Sequence, residues 1–395
     1  MSGHGSSTPD VPHDAPLAAS ADPAASAALA RARAAAQRLG APGHATVAEA
    51  AAAMLGTQAQ DFAGGLFALG LRTPGSREAD VRAALERREV VRTWPARGTL
   101  MFVAAHDVRW VTALLAPRSL QASQGLWRRV GLEPADFGAA REAVLAALTG
   151  RAPASRPDLL RAISEAGVGT AGERGSHLLR WLAGTGVIVF GAPRGTEQTF
   201  ALLEEWVPDA HRIDDRDEAL AEYAHRYLAH RGPATARDLA WWGGLTLTEA
   251  RRAVDLAADV ERTIVGGVEH LTWGDAGAVR SARDEPRLLP PFDELLLGYG
   301  DRSASLRAAD VARLVPASNG LFLPAVVVDG RVVGTWRRTL TRHTVAVELD
   351  AWVPWGVRTR RRLERRVAEY ADFVGRDLAP TTRPTPTTRR DDRPR

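Results

Sequence analysis

Cysteine and lysine are both absent from the 395-residue chain. Without cysteine there is no disulfide framework, no thiolate nucleophile and no cysteine-based metal site. Without lysine, all 51 basic residues are arginine, and no side-chain amine is available for a Schiff base. The ten histidines show no paired ligand spacing, so we expect neither a metal nor a cofactor.

Long apolar runs are also missing, since no stretch approaches the roughly 18 residues that a membrane-spanning helix needs. Residues 1–28 lack the basic and apolar regions of a signal peptide and are predicted to be a disordered leader. Residues 376–395 are predicted to be a disordered basic tail. We therefore expect a cytoplasmic protein that does not bind a membrane.

What the chain does contain is a recurring order of helix, second helix and β-hairpin. The order predicts an α+β fold with three tandem winged helix-turn-helix domains, at residues 29–150, 151–210 and 211–280. Ser76, Ser155 and Thr235 are predicted N-caps, and Gly266-Gly267 a two-residue hairpin turn. Within residues 281–375, apolar residues alternate along the chain on both sides of Asp329-Gly330. This pattern predicts a β-barrel-like element, which a basic helix closes.

Arginines cluster on the second helices of these units, which favours nucleic-acid binding because arginine binds phosphate bidentately. Winged helices also bind proteins, so a protein-interaction scaffold stays open as an alternative. The arginines on or near the predicted recognition helices are Arg82, Arg87, Arg88, Arg174, Arg180, Arg251 and Arg252.

The stretch "GTQAQD", residues 56–61, presents two glutamines, Gln58 and Gln60, after an alanine-rich helix. Residues two apart point to different sides of a helix but to one side of an extended segment. Gly56 is a plausible helix end and Asp61 a plausible cap for the next helix. By spacing alone these glutamines are either part of a helix end or a short extended site.

Four separated stretches give the sequence a family resemblance: "LGTQAQD", "VRTWPARGTLMFVAAHDVRW", "LLPPFDELLLGYGDRS" and "NGLFLPAVVVDGRVVGTWRR". Together, over about residues 29–374, the chain resembles the winged-helix DNA glycosylases of the AlkZ/YcaQ type. The resemblance implies a C-shaped clamp around double-stranded DNA, built from three winged-helix domains and a β-barrel-like element. It also implies removal of N7-alkylated purines and, in some members, unhooking of interstrand crosslinks as self-resistance to an alkylating natural product.

The same resemblance assigns residues. Gln58-Ala59-Gln60 matches the family's Gln-x-Gln signature, which makes Gln58 and Gln60 the expected catalytic residues. Asp61 and Asp293 are the expected supporting carboxylates. The family pattern has histidine after "RGTL", where this chain has Met101, and this departure bears on substrate range. The expected DNA-binding residues are Arg97, Thr99, Arg302, Arg331, Arg337 and Arg338.

A glutamine amide does not take up a proton at neutral pH, so the expected role of Gln58 and Gln60 is to orient water. The absence of lysine predicts a monofunctional enzyme that releases a base without cleaving the strand. We also expect the protein to be a monomer. The alternative is a non-catalytic winged-helix DNA-binding protein or regulator.

Overall fold

The computed structural model describes residues 22–39, 42–195, 197–274, 285–316 and 320–379. Its helices are α1 Pro23–Ala36, α2 Val47–Ala53, α3 Phe62–Arg72, α4 Glu78–Glu86, α5 Val108–Ala122, α6 Gln124–Arg129, α7 Pro134–Leu148, α8 Arg156–Glu165, α9 Arg174–Gly184, α10 Leu203–Trp206, α11 Arg216–Arg231, α12 Ala236–Gly243, α13 Leu247–Leu256, α14 Glu294–Leu297, α15 Val311–Leu314 and α16 Val357–Val374. Its strands are β1 Thr57–Gln58, β2 Val90–Ala96, β3 Thr99–Ala104, β4 Ala154–Ser155, β5 Ile188–Phe190, β6 Thr199–Leu202, β7 Val260–Val265, β8 Val268–Trp273, β9 Pro286–Leu289, β10 Ala325–Val328, β11 Arg331–Leu340, β12 Thr344–Ala351 and β13 Asp377–Leu378.

Local chemistry sets the helix starts that the sequence predicted. Thr46, Ser155 and Thr235 are the N-caps of α2, α8 and α12, and each accepts a hydrogen bond from the backbone N–H three residues later. The acidic residue at that third position bonds back to the cap's N–H, which completes a capping box. The predicted caps Ser155 and Thr235 are confirmed. The predicted cap Ser76 is wrong by one residue, because it is the Arg77 N–H that donates to Asp80 at the start of α4.

Two predicted hairpin turns are also confirmed. Val265 pairs with Val268 across Gly266-Gly267, whose φ angles are 59° and 79°. Val328 pairs with Arg331 across Asp329-Gly330, whose φ angles are 52° and 76°. Two consecutive left-handed residues match the twist of the flanking strands, and glycine enters that region without steric cost.

The hairpins of the first two predicted domains join in one sheet. Strand order is β1-β3-β2-β5-β6-β4, and the junction is the pairing of Arg92 on β2 with Phe190 on β5. The predicted boundary at residue 150 therefore divides elements of a continuous sheet. Pairing satisfies backbone groups that each separate hairpin would leave unbonded at its edge, a gain that repeat spacing does not reveal.

The C-terminal strands form a five-stranded half-barrel sheet of order β13-β12-β11-β10-β9. Helix α16 closes it, as predicted, and its Tyr370 ring lies 4.9 Å from the ring of Trp336 on β11. Phe67 of α3 lies 4.8 Å from the Tyr370 ring. The half-barrel thus shares its core with the helix that follows the glutamine stretch.

Both predicted disordered ends are too long. Helix α1 begins at Pro23, with Asp22 accepting a hydrogen bond from the Ala24 N–H, so residues 23–28 are helical. Strand β13 lies within the predicted tail and pairs in parallel with β12. The composition of α1 favours a helix, because alanine and arginine both have a high helix propensity. The rest of these two predictions, residues 1–21 and 380–395, lies outside the described residues, as does the predicted domain boundary near residue 280.

No helix among the described residues is both long and apolar enough to cross a membrane.

His230 on α11 is the basis of a pH prediction. Burial lowers its pKa to about 4, and the neighbouring His44, Arg38 and Arg231 disfavour its protonation further. The unfolded chain, with an ordinary His pKa of 6.5, binds the proton first as the pH falls. The free energy of unfolding should therefore fall by roughly 3 kcal/mol between pH 7 and 4 on account of His230.

Urea denaturation at a series of pH values checks this. His230→Gln should be less sensitive to acid than the wild type, whereas His343→Gln, at an exposed position, should match the wild type. Equal acid sensitivity in His230→Gln and the wild type would contradict the assignment.

Candidate active site

The glutamine stretch lies between two helices in an extended conformation. Gln58 on β1 pairs with Met101 on β3, and the Ala59 N–H donates to the Leu100 carbonyl at 2.8 Å. Helix α3 then begins with Asp61 as N-cap. Residues 57–60 are non-helical, as an active site built on both glutamines requires.

The two glutamines differ in exposure. Gln58 is 8 % exposed, Ala59 is fully buried and Gln60 is exposed. Strand β1 ends at Gln58, so sheet pairing does not force Gln60 onto the face that Gln58 occupies. Among the described residues, neither side-chain amide has a hydrogen-bond partner. The hydrogen-bonding groups of both amides are available to a ligand or water.

A buried carboxylate holds the backbone of Gln58. Glu294, at the start of α14, is fully buried, and its Oε1 accepts the Gln58 N–H at 3.2 Å. Its Oε2 accepts from Arg231 at 2.9 Å and from the Trp242 indole at 2.7 Å. Arg231 also donates to the carbonyls of Met54 and Gly56, just before β1. This network fixes the strand from α11, α12 and α14 together.

Arg92 on β2 holds the other side of the stretch. Its Nε and Nη2 donate to the Ala59 carbonyl at 3.2 and 2.7 Å. Burial lowers the pKa of Arg92 to about 10, and Asp61 opposes that shift by its charge. The desolvated Arg92 guanidinium thus donates to one backbone carbonyl, and these bonds fix the backbone between the two glutamines.

Close packing requires glycine in the next helix. A Cβ on Gly65 would lie 2.8 Å from the Phe102 ring and 3.1 Å from Ala59 Cα. A Cβ on Gly64 would lie 2.9 Å from Asp61 Oδ2. The pair Gly64-Gly65 therefore lets α3 approach the glutamine stretch and the Asp61 carboxylate.

The two predicted supporting carboxylates lie in different surroundings. Asp61 is half-buried at the start of α3, and its carboxylate makes no hydrogen bond to another described residue. Asp293 is buried, accepts two hydrogen bonds from Arg72 at 2.9 and 3.1 Å, and accepts the Leu295 N–H. Arg72 in turn donates to Gln37 at 2.7 Å.

Met101, at the position where the family pattern has histidine, is fully buried. Its sulfur would lie 3.1 Å from a Cβ on Gly56, and it shares a core with Trp242. The Met101 side chain therefore packs beneath the β1 backbone and presents nothing to solvent.

Five of the six predicted DNA-binding residues fall into two groups. Arg97 and Arg302 both lie over the Trp241 ring, and Thr99 closes the nearby β2–β3 turn by donating to the Ala96 carbonyl. Arg337 and Arg338 lie on β11, where Arg337 is exposed and pairs with Glu348.

Arg331 lies elsewhere, beside α1. It donates to Ser26 Oγ at 2.8 Å, and a Cβ on Gly330 would lie 2.2 Å from the Ala30 carbonyl oxygen. The Asp329-Gly330 turn is thus packed against α1.

Several arginines of the predicted recognition helices have acidic partners in the protein. These ion pairs are Arg82–Glu78, Arg87–Glu89, Arg174–Asp136 and Arg252–Asp217. Arg88 lies over the Trp206 ring, 4.0 Å from its centroid.

Sequence reasoning missed Glu294, Arg231 and Arg92. Glu294 stands beside Asp293 in "PFDELLLGYG", so the motif was visible, but only Asp293 was singled out in it as a supporting carboxylate. Arg231 and Arg92 carry no local signal, because their partners lie 63 and 33 residues away.

Comparison with known proteins identifies the class as a DNA glycosylase. A family model described as "DNA glycosylase AlkZ-like" matches residues 51–373, most of the chain. The chain belongs to the AlkZ-like DNA glycosylase family, and its activity is hydrolysis of N-glycosidic bonds in DNA.

A sequence comparison and a structure comparison each match a protein of Streptomyces sahachiroi. One, described as "Interstrand DNA cross-link repair glycosylase", is 26% identical over 296 residues, which cover 72% of this chain and 80% of the relative. The solved structure "Streptomyces sahachiroi DNA glycosylase AlkZ" matches with a TM-score of 0.76 at 22% identity, covering 89% of this chain and 98% of that one. The second match establishes a shared fold.

Proposed function

We propose that this enzyme releases cationic N7-alkylated purines from double-stranded DNA, with Gln58 and Gln60 as catalytic residues. The observation that carries the proposal is the glutamine stretch itself. Three buried side chains, those of Glu294, Arg92 and Arg231, hydrogen-bond its backbone, while the two side-chain amides make no hydrogen bond to a described residue. A rigid backbone that presents unpaired polar groups is the arrangement that positional catalysis needs.

The chemistry follows from the charge of the substrate. Alkylation at N7 makes the purine cationic, so it departs as a neutral base and needs no strong general acid. What remains is to place water near C1′ while positive charge develops on the sugar. We assign water orientation to the glutamine amides, which donate and accept hydrogen bonds but do not take up the water's proton.

Asp61 is the carboxylate we assign to receive that proton. It is half-buried, follows Gln60 directly and makes no hydrogen bond to another described residue. Asp293 supports the site as a positioning residue, because both its oxygens bind Arg72 while it also caps α14, which carries Glu294. Both oxygens of this carboxylate already accept hydrogen bonds from protein donors.

The DNA-binding scaffold we propose is a monomeric C-shaped clamp of three winged-helix units and the half-barrel. The β11–β12 hairpin supports this, because β11 carries Arg337, which is exposed, and Arg338, which is half-buried. We assign these two arginines, with Thr99 at the β2–β3 turn, to the DNA-facing side. Arg331 is assigned to support that hairpin from its base.

Interstrand crosslinks are the second proposed substrate. A crosslinked base remains tied to its partner strand and is not free to swing into a closed pocket. An exposed Gln60 beside a nearly buried Gln58 suits a lesion approached at the protein surface. The curated relative that is named for crosslink repair supports the same assignment.

The test is incubation with duplex DNA that contains N7-methylguanine, followed by an abasic-site assay. Abasic sites with an unbroken strand are the expected result, since no lysine is present for Schiff-base cleavage. A non-catalytic DNA-binding protein, the competing function, would bind this duplex and leave it intact. A borohydride-trapped adduct through a side chain would contradict the monofunctional mechanism.

A further inference from the structure

Three arginines converge on the turn between β2 and β3, and none of them forms an ion pair with a described residue. Arg97, in this turn, places its guanidinium carbon 4.5 Å from the Trp241 ring centroid. Arg302, after α14, lies 4.9 Å from the same centroid. Arg180 of α9 reaches the adjacent Gly98, where an added Cβ would lie 1.9 Å from its Nη2.

Three of the other buried arginines are neutralised by carboxylates. Arg72 pairs with Asp293, Arg231 with Glu294 and Arg33 with Asp238, in each case with both side chains at most 2% exposed. The arginines at the turn are different. In the part of the chain that the structure describes, no carboxylate oxygen lies within 4.0 Å of the guanidinium of Arg97, Arg180 or Arg302.

Their hydrogen-bonding capacity is also largely unused. Nε and Nη2 of Arg97 and Nε of Arg180 are buried and lack a partner among the described residues. Arg180 Nη2 makes one contact to Ser119 Oγ at 3.4 Å, and Arg302 Nε donates to the Leu296 carbonyl at 2.7 Å. Most of the N–H groups of this cluster therefore stay available to an acceptor.

Burial makes these charges unfavourable in the protein alone. It lowers the pKa of Arg302 to about 10, with Arg97 adding repulsion, and it lowers the pKa of Arg97 and Arg180 as well. Arginine keeps its charge at neutral pH, so an anion bound from outside would offset the free-energy cost of desolvating these guanidinium groups. Paired, planar guanidinium donors match the oxygens of a phosphate.

The cluster is linked to the glutamine stretch through the fold. Trp241 precedes Trp242, which bonds the same Glu294 carboxylate that accepts the Gln58 N–H. Strand β3, which begins just after the turn, pairs with β1. A group bound at the turn is therefore held in a fixed position relative to Gln58.

We propose that Arg97, Arg302 and Arg180 form a discrete binding site for one DNA backbone phosphate next to the nucleotide at Gln58. This inference rests on the proposed function, because it requires the enzyme to bind DNA. Trp241 acts as the platform on which Arg97 and Arg302 are held, and Gly98 leaves the space that Arg180 occupies.

The test is the salt dependence of affinity for undamaged duplex DNA, measured by fluorescence anisotropy. Neutralising one phosphate contributes about 0.9 to the slope of log K against log salt. The double variant Arg97→Gln/Arg302→Gln should flatten the slope by about that amount. Arg97→Lys/Arg302→Lys keeps the charges and should keep the slope. Arg141→Gln, on α7 and paired with Glu142, is the control and should match the wild type.

Thermal unfolding without DNA separates a binding site from a structural one. Because these arginines pair with no carboxylate of a described residue, the double glutamine variant should be as stable as the wild type or more stable. A wild-type slope in that variant would overturn the proposal, with or without a loss of stability. Undamaged DNA is the ligand, so failure of base excision would leave this test intact.

Discussion

Replacing Glu294 with leucine is expected to lower the free energy of unfolding by about 3–5 kcal/mol. The substitution leaves Arg231 charged and fully buried without its ion pair, and it removes the acceptor of the Trp242 indole and the Gln58 N–H. Breaking one side of a buried pair costs more than the pair contributes, because the remaining charge stays desolvated. Denaturant unfolding at neutral pH measures the change.

Two variants sharpen this prediction. Glu294→Gln keeps an acceptor oxygen and the shape of the side chain but removes the charge. Its free energy of unfolding should therefore lie between those of the wild type and Glu294→Leu. Glu348→Leu removes a carboxylate from the exposed pair with Arg337 and should change stability little. If Glu294→Leu unfolds like Glu348→Leu, the buried network does not stabilise the glutamine stretch.

Replacing Gln58 with alanine is expected to slow base excision by about 10²- to 10³-fold, the usual effect of losing one positioned group at a reacting centre. The Gln58 backbone is held by Glu294 through its N–H, and that bond survives the substitution. Stability and DNA affinity should therefore stay near the wild-type values. Single-turnover kinetics on N7-methylguanine duplex DNA with enzyme in excess measures the rate.

The matched control is Gln121→Ala, an exposed glutamine on α5 far along the chain from the site. It should excise at the wild-type rate. Gln60→Ala is expected to slow excision too, because its amide is exposed beside Gln58 and makes no hydrogen bond to another described residue. Wild-type rates in both Gln58→Ala and Gln60→Ala would remove the glutamines from the mechanism.

Local features of this fold were predictable because their causes lie within a few residues. Capping boxes at Ser155 and Thr235 and the turns at Gly266-Gly267 and Asp329-Gly330 follow from short-range geometry. The shared sheet of the first two predicted domains was not predictable in this way. It depends on β2 meeting β5, a contact between segments nearly one hundred residues apart.

The site shows the same division. The extended form of residues 57–60 follows from the flanking helix end and cap. The contact that holds it does not, since Glu294 lies 236 residues beyond Gln58. Asp293 and Glu294 are adjacent acidic residues in the sequence, and only the fold shows that Glu294 bonds the Gln58 N–H while Asp293 bonds Arg72.

The comparison that tests the central claim most directly uses two duplexes, one with N7-methylguanine and one with its neutral counterpart, 7-methyl-7-deazaguanine. The claim is that the enzyme positions water and relies on the positive charge of the base for departure. It predicts free base and abasic sites from the first duplex and none from the second at equal occupancy. Release of the neutral base at a similar rate would contradict it, because the protein would then have to supply a strong general acid.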